Sequence, residues 1–312
     1  MEQDLFGNIS KSFEEFTLFQ DEAGCKESNF FYHGFLLVNN KYGKMILQEI
    51  INAKGEKSRD SEITFKEIRK EDYRVRIATK WLELADKWLR EGKIRFYVLG
   101  INKSNLKNFW SNSWSFEKNV YLRFFEIGIN GLTSWFSKDP KLIKPLKITH
   151  IFYEYGNYND ERKNKIKWLK SLEGYKHCEA IYSNPKKQRG KDNKLCDFSN
   201  LIQFTDILLG VTKYSFIPIN NEHIGKQKCI DKFVDIIERF NDKEKAYRTN
   251  SRYYKRYALQ FFPTVSNITE KEFLSDKIED IIKRGEFYCD RPTYRQQLTN
   301  EKQLTLPLRL CN

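Results

Sequence analysis

Several residue types that mark whole protein classes are scarce in this chain. Its 312 residues include 7 prolines and 15 glycines, too few for a collagen-like or low-complexity protein. No apolar run approaches the roughly 20 residues that a bilayer span needs. The most apolar stretch, residues 30–38 (FFYHGFLLV), is interrupted by His33, so no membrane partner is expected. The first residues, Met1-Glu2-Gln3-Asp4, are acidic where a signal peptide would be basic. The six cysteines (Cys25, Cys178, Cys196, Cys229, Cys289 and Cys311) are widely spaced. They read as reduced thiols of a cytoplasmic protein, since a chain of this size does not need disulfide staples. Neither a Cys-x-x-Cys nor a His-x-x-x-His spacing occurs, which argues against zinc. Only four histidines are present (His33, His150, His177, His223), and none lies in a nucleophile-elbow pattern. Gly55-Glu56-Lys57-Ser58 lacks the first glycine and the Gly-Lys pairing of a phosphate-binding loop.

What is abundant is basic and aromatic. Lys plus Arg number 55 against 42 acids, a formal charge of +13, and 15% of the residues are aromatic. So aromatic a chain can bury a large core, which excludes disorder as its main state. The positive balance fits a polyanionic partner and fits equally a lysine-rich solvated surface, because the basic residues are spread along the chain among acids.

Period-two and helical patterning set the expected elements. Residues 14–20 (EEFTLFQ) have strand character, stopped by Asp21-Glu22-Ala23-Gly24. Further strands are expected over 29–38, 93–100, 147–155 and 178–182. Helices are expected over 41–53, 71–91, 116–135, 160–172 and 198–214. Residues 185–196 (PKKQRGKDNKLC) read as a basic loop. Beyond about residue 216 the pattern turns charged and helical, with candidate helices over 226–240, 243–259 and 270–284. Short strand–strand links suit antiparallel pairing and helical crossovers suit parallel pairing. An α/β fold follows: a mixed five-stranded sheet flanked by helices over residues 1–216, with a mainly helical extension over 217–312. Within that extension, residues 248–257 (RTNSRYYKRY) interleave basic and aromatic side chains. This suits base stacking, but packing favours a helix with tyrosines on its core face.

Three acidic sites stand out. Asp21 and Glu22 follow the first strand, Glu154 ends the fourth, and Asp206 interrupts an apolar helix between Phe204 and Leu208. Ligands of open α/β sheets gather outside the carboxyl ends of parallel strands. If strands one and four are parallel neighbours, Asp21 and Glu154 emerge together. Such a cluster needs neutralising, and Mg²⁺ or Mn²⁺ prefers oxygen ligands. Each acid also has a plain structural reading: a turn for Asp21 and Glu22, an exposed strand face for Glu154, a polar helix edge for Asp206.

The chain resembles the bacterial family catalogued as domain of unknown function thirty-eight hundred. The resemblance runs from about residue 16 to residue 214. It is carried by Leu18-Phe19-Gln20-Asp21-Glu22-Ala23-Gly24 against an Asp-Glu-Ser-Gly motif, by the second strand, and by Glu62-Ile63-Thr64-Phe65-Lys66 against Glu-Ile-Lys. Ile151-Phe152-Tyr153-Glu154 then supplies the strand ending in an acid, and Ile202-Gln203-Phe204-Thr205-Asp206-Ile207 the closing helix motif. Ala23 stands in place of the usual serine, Glu154 in place of the commoner aspartate, and Thr205 in place of alanine. No carboxylate is lost.

The resemblance implies an RNase H-like fold and a metal-dependent nuclease acting on DNA or RNA, of the kind found with mobile elements or phage defence. Asp21, Glu154 and Asp206 would hold one or two Mg²⁺ or Mn²⁺ ions, with Glu22 as an extra ligand if the chain turns there. Lys66 would neutralise the phosphate in the transition state. Gln203, one helical turn before Asp206, would orient a ligand or substrate. Lys186, Lys187 and Arg189 would track the nucleic-acid backbone. The alternative is a catalytically inactive member of the same fold that binds nucleic acid or a partner protein, such as a component of a defence system.

Overall fold

The computed structural model describes residues 13–24, 30–70, 72–102, 116–137, 145–167, 176–214, 223–241 and 256–262. Six strands form one mixed sheet: β1 (Glu14–Ala23), β2 (Phe30–Asn39), β3 (Ile94–Asn102), β4 (Leu146–Glu154), β5 (His177–Ile181) and β6 (Tyr257–Phe262). Their order is β5-β4-β1-β2-β3-β6. β1, β2 and β3 pair antiparallel in sequence, whereas β4 runs parallel to β1, β5 to β4 and β6 to β3. The helices are α1 (Gly43–Lys54), α2 (Tyr73–Glu91), α3 (Phe116–Phe136), α4 (Asn159–Ile166), α5 (Pro185–Lys191), α6 (Ser199–Tyr214) and α7 (Ile224–Asn241).

Alternation along the strands divides the core into two layers. Phe19 of β1, Tyr32, Leu36 and Val38 of β2, Phe96 and Val98 of β3 and Phe152 of β4 face α1, α2, α6 and α7. Phe16 and Leu18, Phe31 and Phe35, Tyr97 and Leu99, and Ile151 and Tyr153 face α3 and the end of α4. α2 is the best-defined surface helix. Asp72 caps it by accepting from the amides of Arg74 and Val75, and Ile77, Ala78, Trp81, Leu82, Ala85, Trp88 and Leu89 bury one face. Gly92 ends it in the left-handed region at φ 75°.

α6 packs directly over β1 and β2, and two glycines permit that approach. A Cβ on Gly34 would come within 3.1 Å of the Leu209 Cβ, and one on Gly210 within 2.2 Å of the Phe65 Cγ. α6 therefore lies close to the sheet on one side and to the segment around Phe65 on the other.

The observed architecture is α/β, with helices on both faces of a mixed sheet, and differs from expectation in three places. The sheet has six strands, and the sixth comes from residues 257–262, inside and beyond a stretch expected to be helical. There Tyr257 and Ala258 are buried and β3 offers an open edge, so pairing outweighs the weak helical pattern. Strand β1 runs on through Asp21 and Glu22 instead of stopping before them, because β2 pairs with it as far as Ala23–Tyr32. Residues 185–191 form the helix α5 rather than a loop, with Asn184 accepting from the amides of Lys186 and Lys187 and Pro185 in the first turn. The helix expected over 270–284 and most of 248–257 lie outside the described residues, as do Cys25, Cys289 and Cys311. Cys178, Cys196 and Cys229 are buried free thiols. Among the described residues, no helix is long and apolar enough to cross a membrane.

Candidate metal centre

The parallel β1–β4 register puts Phe19 beside Phe152 and Gln20 beside Tyr153. The two phenylalanine rings lie 5.5 Å apart in the layer beneath α6. Side chains alternate, so Asp21 and Glu154, each two residues further on, return to that same face at the carboxyl ends of the strands. Asp206 comes from α6 above them, where its Oδ2 accepts from the Phe65 amide at 2.7 Å. Glu62 joins from the segment between α1 and α2. Its Oε1 accepts from the Ser183 hydroxyl and its Oε2 from the Asn184 side-chain amide, both at 2.8 Å.

The charges of these four carboxylates act on one another. Asp21 is 8% exposed. Its carboxyl is held well above the ordinary range by burial first, then by the negative charges of Asp206 and Glu154. Glu154 is pushed up to about 8, chiefly by burial; hydrogen bonding from Ser183 opposes the shift, and the charges of Glu62 and Asp206 add to it. Asp206 is raised to about 6, again by burial first, with the Phe65 amide pulling it back, Glu62 pushing it up, and Lys226 and a hydrogen bond from Asp21 lowering it. Unneutralised acids this close favour retaining protons.

The donor set fits a hard cation: every candidate ligand is a carboxylate oxygen, and Glu154 Oε2 is buried without a hydrogen-bond partner. Among the described residues, no three His, Cys, Asp or Glu side chains are gathered as a ready ligand set. The carboxylates are electrostatic neighbours that an ion would have to draw closer.

Glu22 is not with them. Strand alternation turns it to the opposite face of the sheet, where its Oε2 accepts from Arg162 Nη2 at 2.8 Å and lies 3.9 Å from His33 Nδ1. Burial raises its carboxyl, with Arg162 opposing. The chain does not turn at Asp21-Glu22, so the condition for Glu22 as an extra ligand is not met.

Gln203 is fully buried and holds main chain together. Its Oε1 accepts from the Ile63 amide at 2.9 Å and from Lys54 Nζ at 3.2 Å, and its Nε2 donates to the Ser183 carbonyl at 2.6 Å. It thereby fixes the residues next to Glu62 and those that hold Glu62 and Glu154, and it is not placed to touch a substrate. Lys54 donates also to the Ser61 carbonyl and to Asn200 Oδ1, and burial lowers it to about 8.

Lys66 is exposed one residue beyond Phe65. With Glu62, Thr64, Glu67, Arg69 and Arg74 it lines a cleft of about 510 Å³. Arg74 is paired with Glu67 and Asp72, whereas among the described residues Lys66 and Arg69 have no ion-pair partner. Lys186 and Lys187 are exposed on the first turn of α5. Arg189 is engaged by Asp60, with nitrogen–oxygen distances of 2.7 and 3.2 Å.

Sequence reasoning missed Glu62 as a member of the cluster, although the motif segment containing it, Glu62–Lys66, was legible and its lysine was assigned a role. It also missed Lys226 of α7. This residue is 8% exposed, its ammonium lies 5.6 Å from the Phe65 ring and 5.5 Å from the Tyr214 ring, and its charge acts on Asp206. No local sequence signal separates Lys226 from Lys228 and Lys232 on the same amphipathic helix. Compared with known proteins, the chain matches no family model and no curated protein.

Proposed function

We propose that this protein is a nuclease dependent on Mg²⁺ or Mn²⁺, built on an RNase H-like sheet. The observation that carries the reading is that the charges of Asp21, Glu62, Glu154 and Asp206, drawn from β1, the α1–α2 segment, β4 and α6, act on one another near the carboxyl ends of the parallel β1–β4 pair. A fold gains no stability from crowding four acids, Asp21 buried and the other three half-buried, even with the charge of Lys226 acting against them; holding a cation gives the arrangement a use. The resemblance of the segments around Asp21, Glu154 and Asp206 to motifs of the family of domain of unknown function thirty-eight hundred supports the same reading. The antiparallel β1–β2–β3 unit joined to parallel β4 and β5 accords with an RNase H-like core to which β6 is added.

Asp21, Glu154 and Asp206 would hold the ion, with Glu62 as the fourth oxygen donor. A bound Mg²⁺ or Mn²⁺ supplies an activated water and positive charge to offset the leaving oxygen. The chain itself does the rest. The Phe65 amide aims Asp206, Gln203 fixes the chain at Ile63 and Ser183, and Ser183 with Asn184 aims Glu62. Lys66 and Arg69 line the adjoining cleft and offer positive charge to a phosphodiester. Cytoplasmic nucleic acid, in a phage-defence or mobile-element setting, is the proposed substrate.

The test is cleavage of labelled DNA and RNA in Mg²⁺, Mn²⁺ or chelator by the wild-type protein and its Asp21→Asn and Asp206→Asn variants. Cleavage that requires metal and is lost in both variants supports the proposal. Cleavage in chelator, or cleavage indifferent to both substitutions, overturns it. Metal binding without cleavage would leave the inactive nucleic-acid or protein binder as the correct reading.

A further inference from the structure

Immediately beside the acids lies an aromatic surface that the hydrolytic reading does not use. Tyr155 follows Glu154 and Tyr182 precedes Ser183, whose hydroxyl binds Glu62, and the charge of Glu154 acts on Tyr182, so the pair lies next to the acidic site. Their ring centroids are 4.4 Å apart at a tilt of 32°, the closest ring pair among the described residues. Tyr155 is 40% exposed, one of three large apolar side chains so exposed among those residues. Lys191 Nζ lies 4.4 Å from the Tyr155 centroid and 5.5 Å from that of Tyr182.

The pair is held firmly from below. The Tyr155 amide donates to the Ile181 carbonyl at 2.8 Å. The Tyr182 amide donates to Gln188 Oε1 at 2.8 Å, and Gln188 is buried at 1% exposure on α5. Asn184, which caps α5, also binds Glu62. The helix that carries Lys186, Lys187 and Lys191 is therefore tied both to the tyrosines and to the acidic cluster. A fixed aromatic pair, Tyr155 exposed and Tyr182 half-buried, flanked by lysines beside the proposed phosphodiester site matches the recognition of unpaired bases, in which rings stack on base faces and ammonium groups meet the backbone. A duplex hides its base faces and offers such a surface little.

We propose that Tyr155 and Tyr182, with Lys191, form a stacking platform for unpaired nucleobases, so that the substrate is presented to the acidic site as single-stranded nucleic acid. The proposal rests on the nuclease reading for what the platform serves. Its test is therefore run without catalysis: binding of labelled single-stranded DNA, single-stranded RNA and duplex DNA of one sequence, followed by fluorescence anisotropy in chelator. The wild-type protein should bind a single strand more tightly than duplex, and the DNA and RNA arms identify the sugar. Tyr155→Ala with Tyr182→Ala should weaken single-strand binding about tenfold or more and leave duplex binding unchanged. Tyr155→Phe, which keeps the ring, should bind like wild type and guards against a folding artefact. Equal affinity for duplex and single strand, or a double variant that binds single strands undiminished, overturns the platform even if metal-dependent cleavage persists. Retained single-strand preference in a protein that never cleaves overturns the nuclease reading and leaves the platform standing.

Discussion

Removing a carboxylate from the acidic site should make the metal-free protein more stable, and the gain should depend on pH. Glu154 is the clearest case. Its carboxyl is ordinarily half-protonated at 4.5 and in the folded protein at about 8. The folded state holds the proton more tightly than the unfolded chain. The resulting stabilisation is fully present below pH 4.5 and is lost as pH rises through about 8. At about 1.4 kcal/mol per pH unit, the loss is at most about 5 kcal/mol. Glu154→Gln is neutral at every pH and keeps an oxygen to accept from Ser183. In chelator, urea unfolding should therefore give similar stabilities for wild type and variant near pH ~5, diverging to a variant advantage of about 2–5 kcal/mol near pH ~9. Excess Mn²⁺ should reverse the order at the higher pH. At a hundredfold over its dissociation constant an ion adds about 2.7 kcal/mol to a protein that binds it, and the variant, short of one ligand, should gain less. Parallel pH curves for the two proteins in chelator, or a variant that is the weaker at high pH, would refute the electrostatic account of the site.

Two further outcomes follow from buried polar contacts on the two faces of the sheet. Arg162 is 1% exposed, its guanidinium lies 5.2 to 5.4 Å from the ring centroids of Tyr121, Phe125 and Tyr153, and it binds Glu22; Arg162→Met should cost about 3–5 kcal/mol in urea unfolding by stranding that acid, and adding Glu22→Gln should restore part of the loss. Gln203→Ala leaves the Ile63 amide and the Ser183 carbonyl without their partner. It should cost about 1–3 kcal/mol and weaken Mn²⁺ binding measured by calorimetry; unchanged Mn²⁺ affinity would show that Gln203 does not position the acids.

Much of the site could be read from the chain because strand alternation and helical spacing are local. Asp21 and Glu154 each follow a hydrophobic strand, and Asp206 interrupts an apolar helix, so each announces itself as an acid where apolar residues are expected. The role of Glu22 could not be read. One residue's shift along β1 moves a side chain to the other face, and only pairing with β2 shows that the strand continues past Asp21. Gln203 looked like a ligand-orienting group by spacing, but its burial against Ile63 and Ser183 depends on segments 140 and 20 residues away.

The amino-acid order alone determined that this is an α/β chain with a large aromatic core, where most of its strands and helices lie, and which three acids were worth pursuing, because these follow from periodicity over a few neighbouring residues. Tertiary structure decided what no local window contains: the parallel register that sets Asp21 beside Glu154, the arrival of Glu62, the edge strand from residues 257–262, and the meeting of Tyr155 with Tyr182. Each depends on contacts between distant segments, and those are settled only when the whole sheet and its covering helices pack at once.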